Sequence, residues 1–481
     1  MVSKSIWTQF LKIVKRNEHK DAIIDARNSE KITYGTFLTI SEKWLSNIEE
    51  LQLKFILFQG QPTNSDFSVI LACAAKGICF VPINDSEPWA KISKTLDVLG
   101  ARCLLFLKTK IKGSAEGINR VKIGDRDLVV FDPLKNKNSI EKLPFLLTQT
   151  SGSTGYPKLI CFSQATKLRR TLQSTRLFKI TSEDVILNTS PFYHSLGQRH
   201  FFLSLMNGST FINAYPFSPH NWLKAVKEYK PTFAIPVSSQ IQILQEQLTT
   251  DISILDSFRT LVTSSAPSDP KFKSQIVRKA NCDFWEIYGM TETACATAVL
   301  YNKKHDISHL GFPIDGSEIK IDNDKNDKAG EILVRSDCLC DGYFMDGERW
   351  RNALDQEGWF RSGDLGELDS LGRLLFKGRI NDSFNSGGII VYPIEVEIVM
   401  SALDGILDCV AVDIKVGILE KVIGLAWTGS ELTKREIINY SKDNLPRHLR
   451  PVKIKKFESF PTLGSGKIDR QKIKSILNFA D

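Results

Sequence analysis

Short, unbroken apolar runs alternate with segments of helical spacing through the first 140 residues, and this alternation restricts the fold more than any other feature. KFILFQG (54–60), GICFVPI (77–83) and ARCLLFL (101–107) read as short buried strands. WTQFLKIVKR (7–16) and FLTISEKWLSNIEEL (37–51) carry apolar residues at helical intervals. Strand and helix in turn predict a parallel sheet covered by helices.

The same α/β rhythm continues over 145–300, after the polar stretch DPLKNKNSIEKLP (132–144). From about residue 310 the pattern becomes β. EIKID, GEILVRS and GRLLFKG are separated by the turn segments DNDKNDKAG (322–330) and DSLGR (369–373). The last hundred residues mix the strands CVAVDIKV, KVIGLAW and VKIKKF with the helix TKREIINYSKDNL (433–445). The expected fold class is therefore α/β. A large N-terminal domain, 1–380, would combine helix-covered sheets with a β-rich subdomain. A small α+β C-terminal domain, 381–481, would follow it.

Several function classes drop out on composition. A chain of 481 residues with 42% hydrophobic and 25% charged residues is globular, and it is long enough to bury a core unaided. The longest apolar stretch, VILACAAKGICFVPI (69–83), is interrupted by Lys76, and a membrane span needs about 18–20 apolar residues. The N-terminus has no signal-peptide apolar region, because Lys12, Lys15 and Arg16 come too early. Nine scattered cysteines, an odd number, make no disulfide framework and contain no C-x-x-C. These features predict an intracellular, cytoplasmic protein without a membrane span.

Net charge is +8, and residues 433–481 hold 12 Lys/Arg against 5 Asp/Glu, almost all of that excess. Such a segment suits an anionic partner or forms a solvated basic face. Nucleic acid is not expected, since no helix-turn-helix, zinc-finger or RNP-type motif accompanies the charge.

TQTSGSTGYPK (148–158) follows the apolar strand FLL. A loop of mostly Gly, Ser and Thr lets backbone N–H groups and hydroxyls close around an anion, and Lys158 adds charge. It is neither a Walker A loop nor G-x-G-x-x-G, and TLGSGKID (462–469) does not fit Walker A either.

TSGSTGYPK resembles the phosphate loop of the AMP-forming adenylating superfamily: acyl- and aryl-CoA synthetases, peptide-synthetase adenylation domains and luciferases. Further segments resemble that family's motifs in order. They are PFYHSLG (191–197), YGMTET (288–293), GEILVR (330–335), WFRSGDLG (359–366), FKGRINDSFNSGGIIVYPIEVE (376–397) and GSGKIDR (464–470). The resemblance runs from 148 to 470.

The resemblance implies ATP-dependent activation of a carboxylate to an acyl-adenylate with loss of pyrophosphate, then transfer to a thiol. It assigns Thr150, Ser151, Gly152, Ser153, Thr154, Gly155 and Lys158 to the phosphates. Glu292 would hold Mg²⁺ and Thr291 would meet the α-phosphate. Tyr288 and Gly289 would lie on one face of adenine, Ser265 and Ala266 along the other. Ser264 stands where the family often has Gly. Asp364 would take the ribose hydroxyls with Arg379 beside it. Lys467 resembles the adenylation lysine, a point charge for the transition state.

His194 resembles the aromatic/His gate of acyl- and aryl-CoA synthetases. No Asp of the kind that pairs with an α-ammonium occurs at that motif, so a non-amino acid is the expected substrate. Arg199 and His200 follow closely, and a role with a second substrate carboxylate is open. Asn381 stands where the family has an Asp or Lys hinge, and Asn tolerates unusual φ/ψ. Gly387 and Gly388 would allow a pantetheine arm to approach, while Ile390 replaces a frequent basic residue. CoA is the expected thiol acceptor; loading of a phosphopantetheinyl carrier protein is the alternative.

Overall fold

The structure is a computed structural model that describes residues 5–107, 118–123, 126–132, 143–150, 158–264, 270–301, 309–323, 328–386, 389–416, 420–462 and 468–479. Two large sheets dominate it, and both are parallel in the middle, as the alternating sequence pattern predicts.

The first, of seven strands, has Cys103–Phe106, Phe55–Gln59, Cys79–Ile83 and Leu146–Thr150 side by side in parallel. Lys158–Phe162 adds antiparallel to Leu146–Thr150 and forms one edge of the sheet. The second sheet has nine strands. Asp21–Asp25, Thr210–Asn213, Val185–Asn188, Phe233–Ala234, Thr260–Thr263 and Asp283–Met290 run parallel, with antiparallel strands at both edges.

The apolar stretch 69–83 divides into a helix, Phe67–Lys76, and a strand, Cys79–Ile83. Gly77, in the left-handed region at φ 70°, ends the helix. Residues 67–74 of that helix are all buried, a pattern of cover on every side. Its Phe67 ring stacks on Phe201, 4.7 Å away, and meets Phe192 and Phe211 edge-on. Phe201 lies on the helix Ser195–Asn207, whose residues 200–205 are likewise buried. The two helices thus join the layers of one large core. Among the described residues no helix is long and apolar enough to cross a membrane.

The β-rich part is a four-stranded antiparallel sheet of Ser317–Asp322, Gly330–Ser336, Phe360–Leu368 and Leu374–Arg379. Beyond it, Ile406–Val416, Glu420–Gly429 and Lys453–Lys456 form a three-stranded sheet, and Phe384–Ser386 pairs with Ile389–Val391. The helices Pro393–Met400, Lys434–Asn444 and Arg470–Phe479 accompany them. The apolar clusters of this part draw only on residues 384–477. Asn381 sits between the two regions, exposed, in the single turn Ile380–Asp382.

Candidate active site

The first cluster of site residues forms where the loop-flanking strand Lys158–Phe162 meets the turn between Asp283–Met290 and Ala294–Tyr301. Lys158 Nζ lies 2.6 Å from Glu292 Oε1 and 4.0 Å from the centre of the Tyr343 ring. The Tyr343 hydroxyl donates to the same Glu292 oxygen at 3.3 Å. Glu292 is 8% exposed. Its carboxylate thus has a cation and a hydroxyl donor against it, partners that an enclosed acidic group needs.

The turn that holds Glu292 is built to one shape. The pairing of its two strands shifts register between Tyr288 and Gly289. Ala294 takes the left-handed region at φ 63°, and a Cβ at Gly289 would lie 1.8 Å from the Ala294 carbonyl oxygen. Only glycine permits that approach. Arg170 then clamps the turn from behind. Its guanidinium donates to the carbonyls of Thr291 (2.9 Å), Glu292 (2.6 Å) and Cys338 (2.8 Å). Burial pushes Arg170 down to about 10, which still leaves it a cation at neutral pH.

The second cluster lies on the four-stranded sheet. Asp364 and Arg379 face each other across adjacent antiparallel strands, with Arg379 Nε 3.4 Å from Asp364 Oδ1. The Tyr288 hydroxyl donates to Asp364 Oδ2 at 2.9 Å. Asp364 is 5% exposed and sits within a strand, not on an exposed turn. Burial first, and then the neighbouring Asp364 charge, push the Tyr288 hydroxyl well above its ordinary range, so it remains a donor. Tyr288 and Glu292 are four residues apart on one turn, which ties the two clusters together.

The third group lines the start of the helix Ser195–Asn207. His194 occupies the N-cap position, and its backbone N–H donates to the Pro191 carbonyl at 3.1 Å. A Cβ at Gly197 would lie 2.4 Å from that same oxygen, so the helix begins pressed against the preceding segment. Ser195 Oγ and Thr291 Oγ1 are 3.3 Å apart, which brings the helix start to the turn that holds Glu292. His200 Nε2 accepts the Ile235 N–H at 3.1 Å. Burial pushes that imidazole down to about 3, so it is neutral and acts as a backbone anchor. The Ser264 carbonyl accepts the N–H and hydroxyl of Ser238.

The structure thus brings together Lys158, Thr291 and Glu292, and separately Tyr288, Asp364 and Arg379, with His194 nearest to Thr291 through Ser195. Ser151, Gly152, Ser153, Thr154, Gly155, Ser265, Ala266, Gly387, Gly388 and Lys467 lie outside the described residues, as does the side chain of Thr150. Three contributors escaped the sequence reading: Arg170, Lys167 and Tyr343. Lys167 and Arg170 belong to SQATKLRR (163–170), where i, i+3 spacing puts two cations on one helix face. Such a face ordinarily meets solvent; here Phe162, the helix Ser195–Asn207 and the Thr291–Glu292 turn enclose it.

The AMP-binding enzyme family model matches residues 10–344, well over half of the chain. A substituted propanoyl:CoA ligase of Mycobacterium tuberculosis is 27% identical over 336 residues, 68% of this chain and 65% of that protein, just under two thirds of its length. Feruloyl-CoA synthase of an Amycolatopsis species is 26% identical over 421 residues, 84% of this chain and 85% of that one. Among solved structures, ATP-bound MatB from Rhodopseudomonas palustris superposes with a TM-score of 0.80 at 17% identity, over 98% of this chain and 99% of that chain. O-succinylbenzoate coenzyme A synthetase from Bacillus subtilis, with ATP and magnesium ion, gives 0.78 at 21% identity, over 97% and 99%. At these identities the superpositions establish the fold, and they agree with the α/β class and the smaller C-terminal region expected from the sequence.

Proposed function

Because the chain belongs to the AMP-binding enzyme family, we propose that it is an AMP-forming acid–thiol ligase: it activates a non-amino carboxylic acid with ATP and passes the acyl group to CoA. One observation carries the reading. A single turn holds Glu292 beside Lys158 at one end and, through Tyr288, Asp364 and Arg379 at the other. Charge-neutralising groups for a triphosphate and a bidentate acceptor for ribose hydroxyls are thereby fixed together. CoA-ligase relatives support CoA as the acceptor.

In the first step the carboxylate oxygen attacks the α-phosphorus and the bond to the bridging oxygen breaks, so pyrophosphate leaves. In the second the thiol sulfur attacks the acyl carbon, the acyl–oxygen bond to AMP breaks, and the thiol proton goes to solvent. Both partners of the first step are anionic, so catalysis is mostly neutralisation and positioning. Lys158 and the loop Thr150–Gly155 would hold the phosphates, and Thr291 the α-phosphate. Asp364 with Arg379 would orient the ribose, while Tyr288, Gly289, Ser265 and Ala266 would flank adenine. Lys467 would neutralise the transferring phosphate, and His194 would gate the acyl side.

The residues present fit a Mg²⁺ ion. This metal is characteristically held by one or two carboxylates plus substrate phosphates and water, and Glu292 is such a carboxylate, already placed against a cation it can exchange. Bound there, Mg²⁺ would offset the charge of the triphosphate. We assign the large domain to 1–380 and a lid to 381–481 turning about Asn381, with Gly387 and Gly388 giving passage to the pantetheine arm. Nine free cysteines, none in a disulfide, favour a cytoplasmic setting.

The test is pyrophosphate release with ATP, Mg²⁺ and a panel of aryl and short to long acids, with CoA, with a holo-carrier protein and with neither. Acid-dependent release that CoA accelerates and Lys467→Ala abolishes is expected. Acceleration by the carrier alone would replace CoA as acceptor, and no acid-dependent release would overturn the reading.

A further inference from the structure

Behind the Ser195–Thr291 contact lies a small cavity lined by Lys167, Arg170, Thr171, Ser195, Gln198, Arg199, Phe202 and Met290. Three of these residues are cations and none is a carboxylate. Two of the cations have their donors engaged: Lys167 Nζ donates to Gln198 Oε1 at 2.6 Å, and Arg170 spends its guanidinium on three backbone carbonyls. Arg199 has no hydrogen-bond or ion-pair partner among the described residues.

The nearby carboxylates are occupied. Asp341 receives the N–H and hydroxyl of Ser163 and the hydroxyl of Thr166, and Glu292 receives Lys158 and Tyr343. A half-buried guanidinium with uncommitted donors and two cationic neighbours is a ready partner for an anion. Burial lowers the proton affinity of both Lys167 and Arg199, and at Lys167 the charges of Arg170 and Arg199 lower it further.

From this arrangement we propose that the cavity is the subsite for a second carboxylate on the acid, so that the substrate is a dicarboxylic acid. The inference rests on the ligase reading above and names its substrate class. Arg199 is the specificity-determining residue: it forks onto the far carboxylate, while Lys167 supplies field and Phe202 an apolar wall. Arg199 and Ser195 are one turn apart on the same helix face, so the far carboxylate sits about 5–6 Å deeper than Ser195. The cavity measures about 20 Å³, on a scale where one water needs about 10–15 Å³, which suits a carboxylate tip and little more.

The experiment compares acid-dependent ATP–pyrophosphate exchange for matched pairs of acids, equal in carbon count, ending in either a carboxylate or a methyl group. It uses the full chain, Arg199→Met and Arg199→Lys. The parent is expected to favour the diacid by at least tenfold in kcat/KM. Arg199→Met, of similar reach and no charge, is expected to reverse that preference while keeping exchange with the methyl-ended acid, and Arg199→Lys to restore part of it. If the parent prefers methyl-ended acids, or the preference is the same in Arg199→Met, the subsite is wrong and the ligase reading stands. If neither series supports exchange in the parent, the ligase reading falls and the subsite with it.

Discussion

Lys158 and Glu292 are 134 residues apart in sequence and meet with Nζ 2.6 Å from Oε1. Each comes from a different large sheet, so the contact records how the two sheets are docked. On the proposed reading, the amine lies where a phosphate-bound cation would approach Glu292. Glu292→Gln is expected to reduce acid-dependent pyrophosphate exchange by about 10²–10³-fold, the size seen when one charge-stabilising group is removed. The Mg²⁺ concentration for half-maximal exchange should rise with it, and an unchanged Mg²⁺ requirement would separate Glu292 from the metal.

The Tyr288 hydroxyl reaches Asp364 at 2.9 Å, so the tyrosine positions a carboxylate as well as presenting a ring. Tyr288→Phe deletes one hydrogen bond to a carboxylate, worth about 1.5–3 kcal/mol, or about 10–150-fold. The KM for ATP should rise by that factor with kcat little changed. Asp364→Ala should raise it much further, and equal effects of the two variants would refute the positioning role.

Gly289 has no room for a methyl group against the Ala294 carbonyl. Gly289→Ala must shift the backbone that carries both Tyr288 and Glu292. A cost of about 1–3 kcal/mol in denaturant unfolding is expected. Exchange activity should fall by about 10²-fold, since a displacement near 1 Å is enough for that.

Beneath the same strand Lys273 and Glu286 form a buried pair at 2.6 Å, and the Tyr301 hydroxyl donates to Glu286 Oε2 at 2.6 Å. Lys273→Met leaves a buried carboxylate with a single neutral donor. A loss of about 3–5 kcal/mol in unfolding free energy is expected. The double variant Lys273→Met/Glu286→Gln should regain part of it.

Asp408, on the strand Ile406–Val416, interacts with Gln242 on the helix Ser238–Ile243. Burial, reinforced by the Glu397 charge and opposed by Arg470 and the Gln242 hydrogen bond, pushes its carboxyl up to about 7. The folded protein therefore holds a proton there that the unfolded chain releases near pH 4. The stability this supplies is full below about pH 4 and is lost as pH rises through 7. Asp408→Asn should gain on the parent steadily between pH 5 and 8 in thermal melts, and a constant difference across that range would contradict the shift.

Local pattern in the sequence determined the strands Phe55–Gln59, Cys79–Ile83 and Cys103–Phe106, the helix Ile6–Asn17, and the change to antiparallel β near residue 310. Each depends on apolar periodicity within a dozen residues, which neighbouring side chains satisfy or violate locally. Tyr288, Glu292, Asp364 and Lys158 stood out as candidates for a related reason, since each sits inside a short string that resembles a family motif. Tertiary structure alone decided the pairing of Lys158 with Glu292, the clamp of Arg170 on the Thr291–Glu292 carbonyls, and the burial of Lys167 beside Arg199. A cation on a helix face looks the same in sequence whether it meets water or another helix. Its partner is chosen by the docking of elements more than a hundred residues apart, and in the interior that choice sets its charge, its donors and what it can bind.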